Sequence, residues 1–391
     1  MKQVVRVVIC GITLAATTVA AAGPPIALPA LTAKAQRLSG IAAKPRIRVV
    51  YKSAAGMRAQ ATRLLDRDYP PDQQAYDETL YRALGLLDAS AALRPILLRE
   101  TTNVLGLYDP VTRTLYVRKG RTVKRALVHE LVHALQDKAF NLRRLSNLRR
   151  GSRDAAAAAA AAVEGDATFA TQLGGRVLTV AHSRTGPSSP IGSFLALEHE
   201  FPYTTGLQFI ATLHNLGGNR AVFTALRTFP QTTKQVFHVD AFLGREAPVA
   251  IDVPDAVGAF TLARTDTFGE LDVRALLATF HVPGLDRAAD GWTGGRTAVF
   301  RDAGGRDVAA VGLTWETPAD TAQWAEAVTV YVNEAFDAAS PGFPATVSCA
   351  ASACWSADGR SIAFVRDGSR SALAFGPTVD DAAAVARAVA R

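Results

Sequence analysis

Apolar positions recur at helical or strand spacing along most of the chain, and that pattern sketches an α+β protein. RIRVVYKS, residues 46–53, has a strand-like apolar centre. Helical spacing follows from Met57 to Leu65, and again through Leu80, Leu84, Leu86 and Leu87. In VLGLYDPVTRTLYVRK (104–119) two β-prone runs flank Asp109-Pro110, whose turn chemistry predicts a hairpin. Across 122–138, Val123, Leu127, Leu131 and Leu135 recur every four residues with Ala126 and Val132 beside them, which predicts a helix with an apolar back face. Eight alanines at 155–162 start another helix, with Asp154 as its candidate N-cap. A helical segment from about Gly206 to Arg227 is broken at Gly217-Gly218. Beyond residue 285 short strands (297–301, 308–314, 345–349, 361–366, 371–375) alternate with helices near 318–337 and 378–390. The expected organisation is a spacer rich in Ala, Pro and Leu at 23–45, a mostly helical domain with a small sheet at 46–284, and a smaller α+β domain at 285–391.

Composition adds limits. With 49% hydrophobic and 20% charged residues, the chain is neither disordered nor collagen-like. The N-terminus, MKQVVRVVICGITLAATTVAAAG, places two cations before an apolar run and small residues after it, the order of a signal peptide at 1–22 cut after Ala22. The competing reading is an uncleaved anchor. Export implies a secreted or extracytoplasmic, cell-surface location with no stable membrane insertion after cleavage. The formal charge of +8 falls by two, to +6, once Lys2 and Arg6 are set aside, which gives no call for a nucleic-acid partner. Arg143, Arg144, Arg149, Arg150 and Arg153 read as a solvated loop in preference to a binding patch. Cys10 lies inside the apolar run, too early for a lipid attachment site. Cys349 and Cys354, in TVSCAASACW, are too isolated for a metal site and are expected to pair as a local staple.

The informative segment is ALVHELVHALQDKAF. His129 and His133 stand at i and i+4 of a predicted helix, so both imidazoles can grip one metal ion. Glu130 sits about 100° round the helix, within reach of a metal-activated water without being a ligand. With 7 histidines in 391 residues, chance yields such a motif in roughly a few per thousand chains of this composition. A catalytic zinc needs a third protein ligand. No histidine follows within the next turns, and Glu164, 31 residues after His133 on the alanine helix, is the candidate. Asp166 is a rival, better read as a group that orients a ligand imidazole, and Asp137 competes for that role.

An H-E-x-x-H followed by a distant Glu on a second helix resembles the gluzincin clan of zinc metallopeptidases, with thermolysin-like architecture. More narrowly, the chain is similar to a family of secreted bacterial and archaeal proteins with that core. The echoes are GLYDPVTRTLYV, HELVHALQD, VEGDAT, FPYTTGLQF, TTKQVFHVDAF and GWTGGR, over roughly residues 46–330. Val239 and Phe242 depart from the Pro and Tyr expected after His238. The resemblance implies a zincin-type catalytic domain, Zn2+ held by His129, His133 and Glu164, and Glu130 as general base for hydrolysis of a peptide or protein substrate. Such a mechanism also needs an oxyanion donor, for which His238, Tyr203 and less favourably Tyr108 are candidates. Thr114–Val117 could be an edge strand that holds the substrate.

Other chemistries find no support. There is no G-x-S-x-G elbow, Cys349 has a pairing partner and no neighbouring His, and the paired glycines match no phosphate loop. The competing reading is a cell-surface binding or structural protein that keeps a zincin fold without turnover. The intact Glu130 argues for the enzyme.

Overall fold

The computed structural model describes residues 27–100, 104–120, 124–173, 189–336, 345–346, 349–357 and 360–391. The expected signal at 1–22, with Cys10, lies outside the described residues, as does Val123.

Residues 28–39, read from sequence as spacer, instead form helix α1 (Leu28–Ser39), with Pro29 in its first turn and Gly40 closing it in left-handed backbone. Then come β1 (Arg48–Lys52), α2 (Ala54–Asp68), α3 (Pro71–Ala83), α4 (Leu93–Glu100), β2 (Gly106–Asp109) and β3 (Thr114–Arg118). The hairpin at Asp109-Pro110 forms as expected, with β2 antiparallel to β3. However, β1 pairs in parallel with the other side of β3, giving the order β1-β3-β2. Thr114–Val117 is therefore the central strand, and the edge facing the metal-motif helix belongs to β2.

That helix is α5 (Lys124–Phe140), and every residue from Ala126 to Asp137 is buried. The sequence pattern marks only one apolar face; α1, β2, α7 and α9 together cover the rest. α6 (Arg144–Gly151) leads to α7 (Arg153–Leu173), the alanine helix, and α8 (Pro190–Glu200) to α9 (Thr205–Thr228), whose backbone leaves helical geometry at Gly217 and Gly218. Two short helices follow, α10 (Lys234–Phe237) and α11 (Val239–Leu243). The small side chains of α7 let α9 cross it almost backbone to backbone. A Cβ on Gly165 would stand 2.3 Å from the Gly206 carbonyl oxygen, and one on Gly206 2.5 Å from that of Ala161. The glycines of VEGDAT and TTGLQF thus serve one crossing.

Asp154 is not the N-cap of α7. Ser152 fills that place, its Oγ accepting the Ala155 N–H (3.0 Å), while Asp154 accepts the amide and hydroxyl of Thr233 (3.0 and 2.5 Å).

The rest of the chain comprises β4 (Ala256–Val257), β5 (Phe260–Thr267), α12 (Glu270–Thr279), α13 (Leu285–Ala289), β6 (Trp292–Arg301), β7 (Asp307–Trp315), α14 (Pro318–Phe336), β8 (Ala345–Thr346), β9 (Ala353–Ala357), β10 (Arg360–Asp367), β11 (Arg370–Gly376) and α15 (Val379–Val389). The strands form one antiparallel sheet ordered β4-β5-β6-β7-β11-β10-β9-β8. Since β5 pairs with β6, the expected boundary at 284/285 cuts through this sheet, which begins at Ala256. Strand periodicity gives the sheet two buried faces. Ala298, Phe300, Val308, Ala310, Ala363, Ala372 and Ala374 pack under α15. Val299, Val311, Leu313, Ile362, Phe364, Leu373 and Phe375 share a core with Leu65, Leu80, Tyr81, Trp324 and Tyr331. Polar ties join the same regions: Tyr76 Oη lies 2.6 Å from Thr297 Oγ1, Tyr331 donates to the Leu84 carbonyl, and Arg360 to that of Arg82. The metal-motif helix sits in a separate core, built from α1, α5, α7, α9 and the hairpin.

Arg153 departs from the solvated-loop expectation. It is 6% exposed, its guanidinium donates to the Tyr81 hydroxyl, and it lies 3.6 Å from Asp77, 3.4 Å from Glu198 and 3.3 Å from Asp272. Acids from α3, α8 and α12 converge on the first residue of α7. Cys349 and Cys354 form the expected disulfide, which ties β9 at Cys354 to the residues just before it. Among the described residues no helix is long and apolar enough to cross a membrane.

Candidate metal centre

Consecutive turns of α5 present His129 and His133, whose rings meet edge to face with centroids 4.6 Å apart. α7 crosses beside them and supplies Glu164, held in register by the Gly165–Gly206 contact. Glu164 Oε2 lies 3.1 Å from His129 Nε2 and 3.3 Å from His133 Nε2. These three form a group of convergent ligand atoms, all buried. Glu130 stands beside them, its Oε2 accepting the Tyr108 amide at 2.8 Å. A Cβ on Gly106 would come within 3.0 Å of Glu130 Cγ, so the glycine lets β2 lie against this side chain.

The donor set fits a metal ion. Glu130 Oε1, His133 Nε2 and Glu164 Oε1 are buried with no hydrogen-bond partner, a costly arrangement that a cation would relieve. Two imidazoles and one carboxylate are the three-ligand complement of a catalytic zinc. The charges point the same way. For Glu164, burial would favour the neutral acid, yet charged His133 and contacts with both histidines hold it well below its ordinary value. For His133, burial opposes protonation, but Glu164 prevails and lifts it to about 9. His129 is lowered by burial, and burial pushes Glu130 up to about 8. Glu164 and His133 thus favour positive charge between them, which a cation would supply.

One residue that sequence reasoning passed over organises the pair. Gln136 Nε2 donates to Asp166 Oδ2 (2.7 Å) and to the Val163 carbonyl (3.0 Å). Both partners only accept, so the Gln136 carbonyl oxygen is the atom 2.9 Å from His133 Nδ1. That nitrogen must carry the hydrogen, which leaves Nε2 to face Glu164. Asp166 therefore acts on the imidazole through Gln136, not directly. Asp137, the other candidate, is committed elsewhere. It accepts the Tyr108 hydroxyl (3.0 Å) and the Leu142 amide (3.1 Å). Tyr108 accordingly meets the centre with its amide, and its hydroxyl is not a ready oxyanion donor. Glutamine carries no titration signature, and only its place three residues after His133 could have drawn attention.

His238 and Tyr203 are not brought into the triad's ligand group. His238 Nε2 lies 3.1 Å from Glu270 Oε1, which raises the imidazole above its ordinary value. His238, Glu270 and Asp290 form a second convergent group, but Arg274 already pairs with both acids (2.7 and 2.8 Å). Tyr203 is buried, with its ring against His199.

A family model described as a domain of unknown function, DUF8575, matches residues 259–386. That span covers the large sheet from β5 onward with α12 to α14 and most of α15, and contains none of His129, Glu130, His133 or Glu164. No curated protein and no solved structure matches the chain.

Proposed function

We propose that this chain is an exported zinc-dependent peptidase of the gluzincin type, with His129, His133 and Glu164 holding the metal and Glu130 as general base. The convergence of the buried ligand atoms of two imidazoles and a carboxylate, with a further carboxylate beside them, carries the reading. When bound, zinc supplies Lewis acidity and lowers the pKa of water towards ~7. Glu130 accepts the water proton and passes it to the leaving amine, and the Tyr108 amide fixes the angle of its carboxylate. The positive charge at the triad favours the ionised carboxylate, offsetting the burial that otherwise keeps Glu130 protonated. Of the hairpin, β2 and not β3 offers an outer edge beside Glu130 for a peptide to add to.

A second reading has its own observation. His129, Glu130 and His133 are each 1% exposed and Glu164 0%, a closure that suits a structural metal in a non-catalytic cell-surface binding or structural protein. Metal analysis of the purified chain together with hydrolysis of a mixed peptide library separates the two. One zinc per chain with chelator-sensitive cleavage supports the peptidase, and one zinc without cleavage supports the structural role. No bound metal sinks both.

Two results are expected on the metal itself. Glu164→Ala should abolish stoichiometric zinc, whereas Gln136→Leu should weaken affinity about 10–100-fold, the usual cost of losing a group that orients a ligand. Atomic spectroscopy after dialysis checks both, and full zinc retention in Glu164→Ala removes it from the ligand set. The second concerns pH. The metal-free His133 holds its proton up to about pH 9, and ligation needs it neutral. Zinc affinity should therefore rise with pH, by about tenfold per unit or more between roughly pH 6 and 8, because Glu130 also gives up its proton beside the metal. Titration calorimetry in buffers of different ionisation enthalpy should find between one and two protons released per zinc at neutral pH, one from His133 and up to one from Glu130, and none if both are already deprotonated.

A further inference from the structure

Beyond the C-terminal end of α5 lies an open cleft of about 500 Å3. Arg113, Lys138, Arg143 and Arg144 line it, and Asp137 is the one acid among its described lining residues. Two of the cations are held rigidly by groups that leave their charge standing. Arg143 donates to the carbonyls of Pro110 and Val111 (3.2 and 3.0 Å), and Arg144 to those of Leu226 and Arg227 (2.9 and 2.7 Å). A carbonyl satisfies the hydrogen bond without neutralising the guanidinium. Asp137 offsets little, since it already serves Tyr108 and Leu142 and lies 3.9 Å from Arg113, itself 59% exposed. A concave wall with several unneutralised cations focuses a positive potential.

We propose that this cleft binds an acidic stretch of polypeptide and, resting on the peptidase reading, that it selects substrates with carboxylate side chains near the cut. Asp137 stands one turn beyond His133 on the same face of α5, about 6 Å along the axis. An extended peptide advances about 3.3 Å per residue, so a chain lying at the triad reaches the cleft within two or three residues. No aromatic side chain is among the described lining residues, which leaves nothing for nucleobases to stack on. The concavity suits side chains better than a flat lipid surface.

The test uses the full chain carrying Glu130→Gln, so that binding is read without turnover. A labelled octapeptide with three glutamates should bind about tenfold more tightly than its glutamine counterpart, with the difference shrinking as salt screens it from about 50 to 300 mM. Lys138→Gln combined with Arg113→Asn should erase the difference. Asn tolerates the left-handed backbone at position 113, and unchanged zinc content and circular dichroism verify the fold. Equal affinity for the two peptides overturns the proposal. So does orthophosphate or phosphatidylserine-vesicle binding that the double variant loses while neither peptide binds. Turnover by the unmodified chain then separates the two ideas. Hydrolysis without acidic preference sinks this inference and spares the peptidase, whereas acidic binding lost in the double variant, with no hydrolysis of any peptide, does the reverse.

Discussion

Glu130→Gln is expected to keep its zinc and lose peptide hydrolysis by a factor on the order of 10²–10⁴, the range for loss of a general base. The amide keeps the shape of the carboxylate and its carbonyl oxygen can still accept the Tyr108 amide, but it cannot take a proton from water. The burial of this residue sharpens the expectation for stability. Because Glu130 is lifted to about 8, the metal-free protein holds it as a neutral acid at pH 7, and glutamine is a near copy of that form. The unfolding midpoint of the metal-free variant should therefore match or slightly exceed that of the parent. Zinc content, cleavage rate and unfolding midpoint measured on the same two preparations decide the matter. A variant that cleaves as fast as its parent rules out Glu130 as the base. A variant without zinc shows that the carboxylate helps hold the metal.

Arg153→Met carries the largest expected effect on stability. Methionine fills similar volume, but Asp77 and Asp272 then lose the guanidinium that faces them, and breaking a buried ion pair from one side costs about 3–5 kcal/mol. Glu198 is already raised by burial and by Asp272, so it adds little charge of its own. The loss should appear in urea unfolding, and Asp272→Asn added to Arg153→Met should recover part of it. A change below about 1 kcal/mol means that the acids simply take up protons when the arginine leaves. Since Arg153 opens α7, zinc affinity should weaken in the same variant.

The two predictions draw on parts of the chain that were unequally readable. His129, Glu130 and His133 lie within five residues, so helix geometry alone places the imidazoles together. Glu164 is a long-range partner, accessible only through resemblance and its seat on a strong helix former. Gln136 was in plain view but lacks the charge by which ligands and their supports are usually sought. Arg153 misleads for the opposite reason: it sits among other arginines, and nothing local announces that residues 77, 198 and 272 will surround it. The edge assignment of the hairpin failed because β1, more than 60 residues upstream of its partner, claims the free side of β3. β5 escaped notice because FTLARTDT, only partly buried along most of its length, lacks the apolar run that reveals its neighbours.

The separation of the core around α5, α7 and α9 from the one that seals α3 also fixes an order of assembly. The core around α5, α7 and α9 draws almost all its residues from positions 35–236, and can gather while the chain is still emerging. The core that seals α3 cannot: Leu80 and Tyr81 wait for Val299, Leu373 and Phe375, and the Leu84 carbonyl for Tyr331. At synthesis rates of about 5–20 residues per second, that apolar face stays uncovered for roughly 15–60 s. Contacts closing loops of more than two hundred residues are slow to find. The metal-binding half is thus the early folder, and the α3 face is the surface that a chaperone would have to shield until the last strands arrive.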